Sequence, residues 1–237
     1  MPPDDWRTLT ARVAAALAPA GLDLVAATRT DRYDRAVPAD YHLPDLGRPD
    51  ALVVVVGNTR ALWPRFLQWL ADDSDRLDLD DPLDAFVERR VHDVAASLGP
   101  EAVVCFAHDP PPRRIAMQRL AELSGLARIA PNQLCVHPQY GPWISLRAAL
   151  VVDTAGPPDP VEPPPDPCLG CTDACREAFR IALDVSRARG PRGAWREWVA
   201  VRDACPVGRG LRFADEQLAY HATADREILR NAVRARG

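Results

Sequence analysis

The chain contains no lysine, since all 29 of its basic residues are arginine. Every cationic contact must therefore come from a guanidinium, a planar and permanently charged group that matches the two oxygens of a carboxylate. The same absence, together with abundant alanine and 24 prolines, is what codon bias in a GC-rich genome produces. The net charge of −4 gives no indication of polyanion binding, so we expect no nucleic-acid partner.

Long apolar runs are also missing, and no stretch reaches the roughly 18 residues that a membrane-spanning helix needs. The first residues lack the basic region and apolar run of a secretory signal peptide. We therefore expect a cytoplasmic protein without a membrane partner. In that compartment the six cysteines are expected to be reduced thiols or metal ligands rather than disulfides.

Several enzyme signatures are absent as well. The sequence has no glycine-rich phosphate loop, no His-Glu-x-x-His zinc motif and no Ser-His-Asp order with a supporting signature. Competing enzyme classes therefore have little support.

The apolar residues predict alternating helices and strands. The continuous run Ala51 to Val56 is typical of a central strand covered on both faces. A helix is predicted at Pro82 to Leu98, with Asp81 as its N-cap and Gly99 just beyond its end. Further strands are predicted at about 22–28, 102–107 and 143–152, and further helices at 6–17, 59–71 and 114–123. The pattern indicates an α/β arrangement with a mixed strand order.

A proline-rich stretch at 156–167 is typical of a semi-rigid extended connector. It predicts a core at 1–155 and a C-terminal part at 168–237. Three helical segments are predicted in the C-terminal part, at about 173–188, 194–204 and 214–234.

One charged residue, Arg147, interrupts the apolar strand predicted at 143–152. A buried guanidinium is costly without a counter-charge. From the residues alone, Arg147 either pairs internally with an aspartate or glutamate, which is the favoured alternative, or binds an anionic ligand.

Four cysteines lie close together in the sequence, at Cys168, Cys171, Cys175 and Cys205. A Cys-x-x-Cys pair can present two sulfurs to one metal, and a third cysteine four residues on lies one helical turn away. Pro206 directly follows the last cysteine, as in bacterial iron–sulfur sequences. A [4Fe–4S] cluster, structural zinc, a redox thiol pair and small core residues are the alternatives. Cys105 and Cys135 lie in predicted strands, where we expect inert core thiols.

The segment 134–147, which reads LCVHPQYGPWISLR, resembles the signature of the CblC family of cytosolic cobalamin-processing proteins. The resemblance covers about residues 5–226. Other matching motifs follow the family's order at nearly its spacing: Tyr41-His42-Leu43-Pro44, Asp81-Pro82-Leu83-Asp84, Arg113-Arg114, Trp195-Arg196-Glu197-Trp198, Arg202-Asp203 and Glu216-Gln217-Leu218-Ala219-Tyr220.

The resemblance implies an α+β fold, with a flavin-nitroreductase-like mixed sheet flanked by helices and a helical C-terminal cap. It implies that the chain binds cobalamin in its base-off state, with the nucleotide tail in an apolar pocket. The implied activity removes the upper axial ligand of cobalt, by reductive decyanation or by transfer of an alkyl group to glutathione. Glutathione or another thiol is then the cosubstrate that supplies the nucleophile, and FMN is a further cofactor that the family admits.

In the family, arginines form the glutathione pocket, and their motifs match Arg147 and Arg202. Arg226 matches as a third, although the segment there is shorter. The resemblance therefore favours ligand binding by Arg147 over an internal ion pair.

The resemblance also suggests which residues lie near cobalamin. The spacing around His108 departs from the family's by two residues, so a role in a surface loop stays open. For His137, bracing the turn is favoured over ligating cobalt. The cobalamin-binding set implied by the resemblance is His108, Cys135, His137, Tyr140, Gly141 and Trp143.

The four-cysteine pattern departs from the animal members of the family. Here the sequence is more similar to bacterial relatives with an iron–sulfur segment, and distantly to epoxyqueuosine reductases, which also combine cobalamin with such clusters. A cluster beside cobalt would be an alternative electron source for decyanation. Two other functions stay open: a non-catalytic corrinoid carrier with structural zinc, and a cobalamin-dependent iron–sulfur oxidoreductase acting on another substrate. The expected partners are cobalamin, a small thiol and a redox protein, in a monomer or homodimer.

Overall fold

The structure is a computed structural model that describes residues 5–99, 102–158, 165–171 and 174–236. Asp5 caps the first helix, because its carboxylate accepts a hydrogen bond from the backbone amide of Thr8. The described helices are α1 (Trp6–Leu17), α2 (Thr30–Asp34), α3 (Leu62–Ala71), α4 (Pro82–Leu98), α5 (Met117–Leu123), α6 (Ala174–Gly193), α7 (Trp195–Asp203), α8 (Asp215–Thr223) and α9 (Arg226–Arg234). The strands are β1 (Leu24–Arg29), β2 (Ala51–Asn58), β3 (Val103–Phe106), β4 (Arg128–Ile129), β5 (Cys135–Val136) and β6 (Ser145–Ala155).

Four of the strands form the main sheet, in the order β1-β2-β6-β3, while β4 and β5 form a separate pair. Strand β2 is buried along its whole length, as its continuous apolar run predicts. The order of the strands is not sequential, as the predicted mixed strand order requires, but all three pairings in the main sheet are antiparallel, which differs from the mixed sheet that the resemblance implies. The apolar runs indicated burial on both faces, and burial does not determine the direction of a neighbouring strand.

Helices cover both faces of this sheet. On one face, alternate residues of β2 and β6 such as Val54 and Leu150 pack with α1, α3 and α4. On the other face, Val53, Val55 and Val151 pack with α2 and α5. The predicted α+β class, with helices flanking a sheet, is therefore confirmed. No helix in the described part of the chain is long and apolar enough to cross a bilayer.

The C-terminal helices differ from prediction in one respect. The segment expected as a single helix at 214–234 is broken at Ala224, whose φ of +54° ends α8, and Asp225 then caps α9. The break turns α9 back onto α3, where Leu229 and Ala232 join the same core as the main sheet. Residues 159–164 of the proline-rich stretch lie outside the described residues, and the division into core, connector and cap stays a prediction.

Packing of α9 into the main core predicts a large effect from truncating Leu229, which is fully buried. We expect Leu229→Ala to lower the free energy of unfolding by about 2–5 kcal/mol, as for other buried leucines. Ile181→Ala, at a site on α6 that is 44% exposed, should change it by less than about 0.5 kcal/mol. Urea unfolding of both variants measures this, and similar losses in the two would contradict the packing described.

Candidate active site

Arg147 lies in β6, and its guanidinium is held by an amide rather than by an acid. Its Nε donates to Oδ1 of Asn58 over 2.7 Å. Asn58 ends β2, and its own Nδ2 donates to the carbonyl of Thr59. Among the described residues Arg147 makes no ion pair, and its buried Nη2 has no hydrogen-bond partner there. The internal ion pair favoured from the residues alone is therefore wrong within the described part of the chain, because an amide oxygen takes the place of a carboxylate.

Burial lowers the pKa of Arg147. The negative charges of Asp84 and Asp81, which lie too far away to form ion pairs with it, raise this pKa. Burial also raises the pKa of Asp84. The nearby charge of Asp81 raises this pKa further, and the charge of Arg147 lowers it. The two aspartates thus moderate the positive charge of Arg147 without neutralising it.

Arg202 lies on α7 and is held in the same manner. Its Nη1 donates to the carbonyl of Pro142 over 2.7 Å, and it makes no ion pair with a described residue. Burial lowers its pKa too. Two guanidiniums therefore come together from distant parts of the sequence, each hydrogen-bonded to a neutral oxygen and each keeping its charge.

Both arginines line a cavity of about 320 Å³ that we call the arginine cavity. Its other walls include Gln118 on α5 and Cys135 on β5. Arg202 and Ser145 also line a second cavity, of about 340 Å³, between α7 and α8. We call this the cap cavity, and its remaining walls are Pro191, Arg192, Trp195, Trp198, Val199, Phe213, Leu218, His221 and Ala222. Each volume is in the range of small-molecule sites.

A third cavity, of about 470 Å³, shares Met117 and Gln118 with the arginine cavity. We call it the helix cavity, because α5 supplies much of its wall. Most of the other lining residues are apolar, among them Val37, Ile115 and Ile129. Shared walls thus arrange the three cavities in a row, with the arginines in the middle.

His221 on α8 faces the cap cavity, and its ring contacts the Gln217 side chain. Partial desolvation, together with the nearby charges of Arg147 and Arg202, lowers its pKa, although the side chain is exposed toward the cavity. The imidazole is therefore neutral at physiological pH, and the charge of this region comes from the arginines.

The turn before β6 is braced by His137, as expected. Nδ1 of His137 accepts hydrogen bonds from the backbone amides of Gln139 and Tyr140, over 3.0 and 3.2 Å. Gly141 follows with a φ of +59°, and a Cβ there would lie 2.0 Å from the carbonyl oxygen of Val207. The turn therefore packs backbone against backbone on the segment that follows Cys205.

Three further residues of the implied cobalamin-binding set, Cys135, Trp143 and His108, lie in three different environments. Cys135 lines the arginine cavity, and burial raises its thiol pKa to about 12, so it is a neutral wall residue. Trp143 is buried and packs against Phe213, beneath the cap cavity. His108 lines none of the three cavities and pairs instead with Glu88, over 2.7 Å.

Arg226, the third arginine implied by the resemblance, is not brought to the other two. Its Nη2 donates to the carbonyls of Leu79 and Asp80, over 2.9 and 3.4 Å. It lines neither the arginine cavity nor the cap cavity. Its role in thiol binding stays a prediction.

The four clustered cysteines lie in one region of the fold. Cys168 and Cys205 pack together in a small apolar cluster with Val136. Burial raises the pKa of Cys168, and the proximity of Asp166 and of the other three thiols raises it further. Within the described residues, no set of three or more potential ligands has an arrangement that would hold a metal ion.

Sequence reasoning missed several residues of the cavities. Asn58 holds Arg147 from a position 89 residues away, and Arg192 and His221 come from helices whose placement the sequence does not specify. The one available signal was Asn58 itself, since a polar residue at the end of a fully apolar strand must find a buried partner.

Comparisons with known proteins give a consistent result. The cyanocobalamin reductase / alkylcobalamin dealkylase of Homo sapiens is 28% identical over 209 residues, which cover 81% of this chain and 69% of that protein. The protein of the same name from Gallus gallus is 23% identical over 237 residues, covering 92% of this chain and 93% of its own. No protein-family model matches the chain.

Two solved structures are similar in fold. The B12-trafficking protein CblC of C. elegans has a TM-score of 0.72 at 20% identity, over 94% of this chain and 95% of its own. A structure of epoxyqueuosine reductase has a TM-score of 0.60 at 15% identity, over 95% of this chain and 71% of its own. The resemblance to CblC-type proteins found in the sequence is therefore confirmed.

The close approach at Gly141 predicts a matched pair of glycine variants. Gly47 has a comparable φ of +79°, but a Cβ there would meet nothing within 4 Å. We expect Gly47→Ala to cost about 1–2 kcal/mol of stability, from the backbone conformation alone. Gly141→Ala should cost about 1–3 kcal/mol more, because its Cβ overlaps the chain at Val207. Urea unfolding measures both, and equal losses would show that the turn is not packed on the cap as described.

Proposed function

We propose that this CblC-type chain is an enzyme that removes the upper axial ligand of cobalamin, by reductive decyanation and by thiol-dependent dealkylation. The sequence relatives that cover most of the chain carry the name of that activity. The observation in the structure that carries the proposal is the pair Arg147 and Arg202, two charged guanidiniums that line one cavity without an acid partner among the described residues.

In dealkylation, a thiolate attacks the alkyl carbon on cobalt. The sulfur–carbon bond forms as the carbon–cobalt bond breaks, and the bonding electron pair stays on cobalt. The cosubstrate supplies the nucleophile, so the task of the protein is to hold the thiol at the right distance and angle. Arg147 and Arg202 suit this task, because guanidiniums fix carboxylates with paired, charge-assisted hydrogen bonds. Glutathione or another carboxylate-bearing thiol is the cosubstrate that this arrangement favours.

The row of cavities suggests how the two molecules share the site. We assign the nucleotide tail of base-off cobalamin to the helix cavity, whose walls include the apolar side chains of Val37, Ile115 and Ile129. The arginine cavity lies next to it, so the upper ligand of cobalt would face the two guanidiniums. The cap cavity then receives the rest of the thiol. Cys135 has a raised pKa and remains a neutral thiol at this wall, so it does not compete as a nucleophile.

We expect Arg147→Ala and Arg202→Ala each to lower kcat/KM for thiol-dependent dealkylation of methylcobalamin about 10- to 100-fold. This is the range for losing a hydrogen bond to a charged group. Since we assign the nucleotide tail of cobalamin to the helix cavity, the base-off absorption spectrum on adding cobalamin should persist in both variants. Arg180→Ala serves as the control, since Arg180 is paired with Glu177 and Asp184 on the surface of α6. Unchanged dealkylation in both cavity variants would remove the assignment.

The four cysteines are further proposed as the site of a [4Fe–4S] cluster, with zinc as the alternative. The donor chemistry suits either, and the apolar contact between Cys168 and Cys205 supports a common site. When bound, a cluster supplies single electrons. No three potential ligands among the described residues are arranged to hold a metal ion. We therefore assign no step of ligand removal to a cluster.

Metal analysis of anaerobically purified protein tests this site. We expect bound iron and acid-labile sulfide, or zinc, which is lost in Cys171→Ser because a thiolate ligand is removed. Cys105→Ser is the matched control, since Cys105 is only 2% exposed in the main core. Metal-free wild-type protein would reject the proposal.

Cytoplasmic location, FMN as an added cofactor, a redox partner, and the choice between monomer and homodimer also belong to this proposal. They rest on the sequence and on the resemblance.

A further inference from the structure

Arg192 lies at the wall of the cap cavity, and none of the roles above uses it. It directly follows the break in α6, where Gly190 has a φ of +75° and Pro191 begins the next turn. Proline lacks a backbone N–H and fixes its own φ, so a Gly-Pro pair redirects the chain sharply. The break places Arg192 on the same cavity as Trp195 and Arg202, instead of leaving it on the outer surface of a continued helix.

The surroundings of Arg192 leave its charge available. It is exposed, and among the described residues it makes neither a hydrogen bond nor an ion pair. The nearby Arg187 on the same helix is paired with Asp184 over 3.0 Å. No aspartate or glutamate is among the described residues that line the cap cavity or the arginine cavity.

The cap cavity is therefore lined by two cationic side chains and by several apolar ones. Arg202 stands where the cavity adjoins the arginine cavity, and Arg192 stands on a separate helical segment. Trp195, Trp198 and Phe213 provide flat apolar surfaces. A ligand with two carboxylates joined by an uncharged chain fits this distribution of charge and apolar surface.

We infer that Arg192 is a third thiol-binding arginine, which binds a second carboxylate of the cosubstrate in the cap cavity and so selects thiols that carry two carboxylates. The inference rests on the proposed function, because it concerns the thiol that the ligand-removal reaction consumes. It assigns to Arg192 a role that Arg226, hydrogen-bonded to the carbonyls of Leu79 and Asp80, does not fill in this structure.

Binding of S-methylglutathione, which has no reactive thiol, tests the inference without any turnover. Trp195 and Trp198 line the cavity, so their fluorescence reports occupancy, and calorimetry provides a second measurement. The comparison ligand is S-methylglutathione with its glycine carboxylate converted to an amide. The variants are Arg192→Gln and, as the matched control on α6, Arg187→Gln.

We expect Arg192→Gln to weaken binding of S-methylglutathione about tenfold, which is the effect of one charge-assisted contact. The same variant should bind the amide as wild type does, since the carboxylate that Arg192 would contact is gone. Arg187→Gln should leave both affinities unchanged. KM for glutathione in dealkylation should rise in Arg192→Gln by a similar factor, with kcat little changed.

Three outcomes would overturn the inference. The first is equal affinity of wild type and Arg192→Gln for S-methylglutathione. The second is wild-type protein that binds neither S-methylglutathione nor its amide, and the third is wild-type protein that binds the two equally well. Each result leaves the proposed function standing if wild type still dealkylates methylcobalamin with a thiol. The converse result is wild-type protein that binds S-methylglutathione through Arg192 and never removes a cobalamin ligand. That result would contradict the proposed function and support the binding site.

Discussion

The site depends on a hydrogen bond between two strands of the main sheet, from Arg147 to the amide oxygen of Asn58. An amide oxygen fixes the guanidinium in place without cancelling its charge, whereas a carboxylate would do both. Arg147 lies at a register shift between β2 and β6, and the paired residues on either side of it, Val56 with Ala148 and Gly57 with Leu146, fix its position. Asp84 and Asp81 moderate the charge from a distance, which makes its burial tolerable while leaving it available to a ligand.

The second arginine is fixed through the backbone. Arg202 holds the carbonyl of Pro142, and the segment after Cys205 lies against the turn at Gly141 so closely that only glycine fits. The backbone amide of Cys205 in turn donates to the carbonyl of Arg202 over 3.1 Å. The turn before β6, the end of α7 and part of the four-cysteine region are thus one packed unit. An arginine on a separate helix is placed as firmly as one on a strand, provided that the backbone around it makes such contacts.

Local signals in the sequence predicted the regular elements well. Asp81, Pro82 and Gly99 predicted both the first and the last residue of α4 correctly, because each acts through contacts within one helical turn. The break at Ala224 was not predictable in the same way, since alanine gives no signal for a left-handed conformation. The partner of Arg147 could not be predicted either, because nothing in a single sequence pairs positions 58 and 147. The resemblance to a known family identified the two arginines, and only the fold showed which cavities they share and that Arg226 is not among them.

The electrostatics of Arg147 and Arg202 show what it means that neither has an acid partner in the described part of the chain. Burial lowers the pKa of Arg147 and of Arg202, which means that the surrounding protein disfavours the charged form, although an arginine stays charged at any physiological pH. The ligand-free protein therefore carries an unfavourable free energy at this place. Internal ion pairs would remove it, but a bound carboxylate would then have to displace an internal one. With neutral oxygens as their partners among the described residues, the same free energy would be released on binding of the anionic thiol that we propose, and it would then be measured as affinity and as a ligand-dependent gain in stability. The lowered pKa of His221 is consistent with this, because a further positive charge near Arg147 and Arg202 would raise the cost of the empty site.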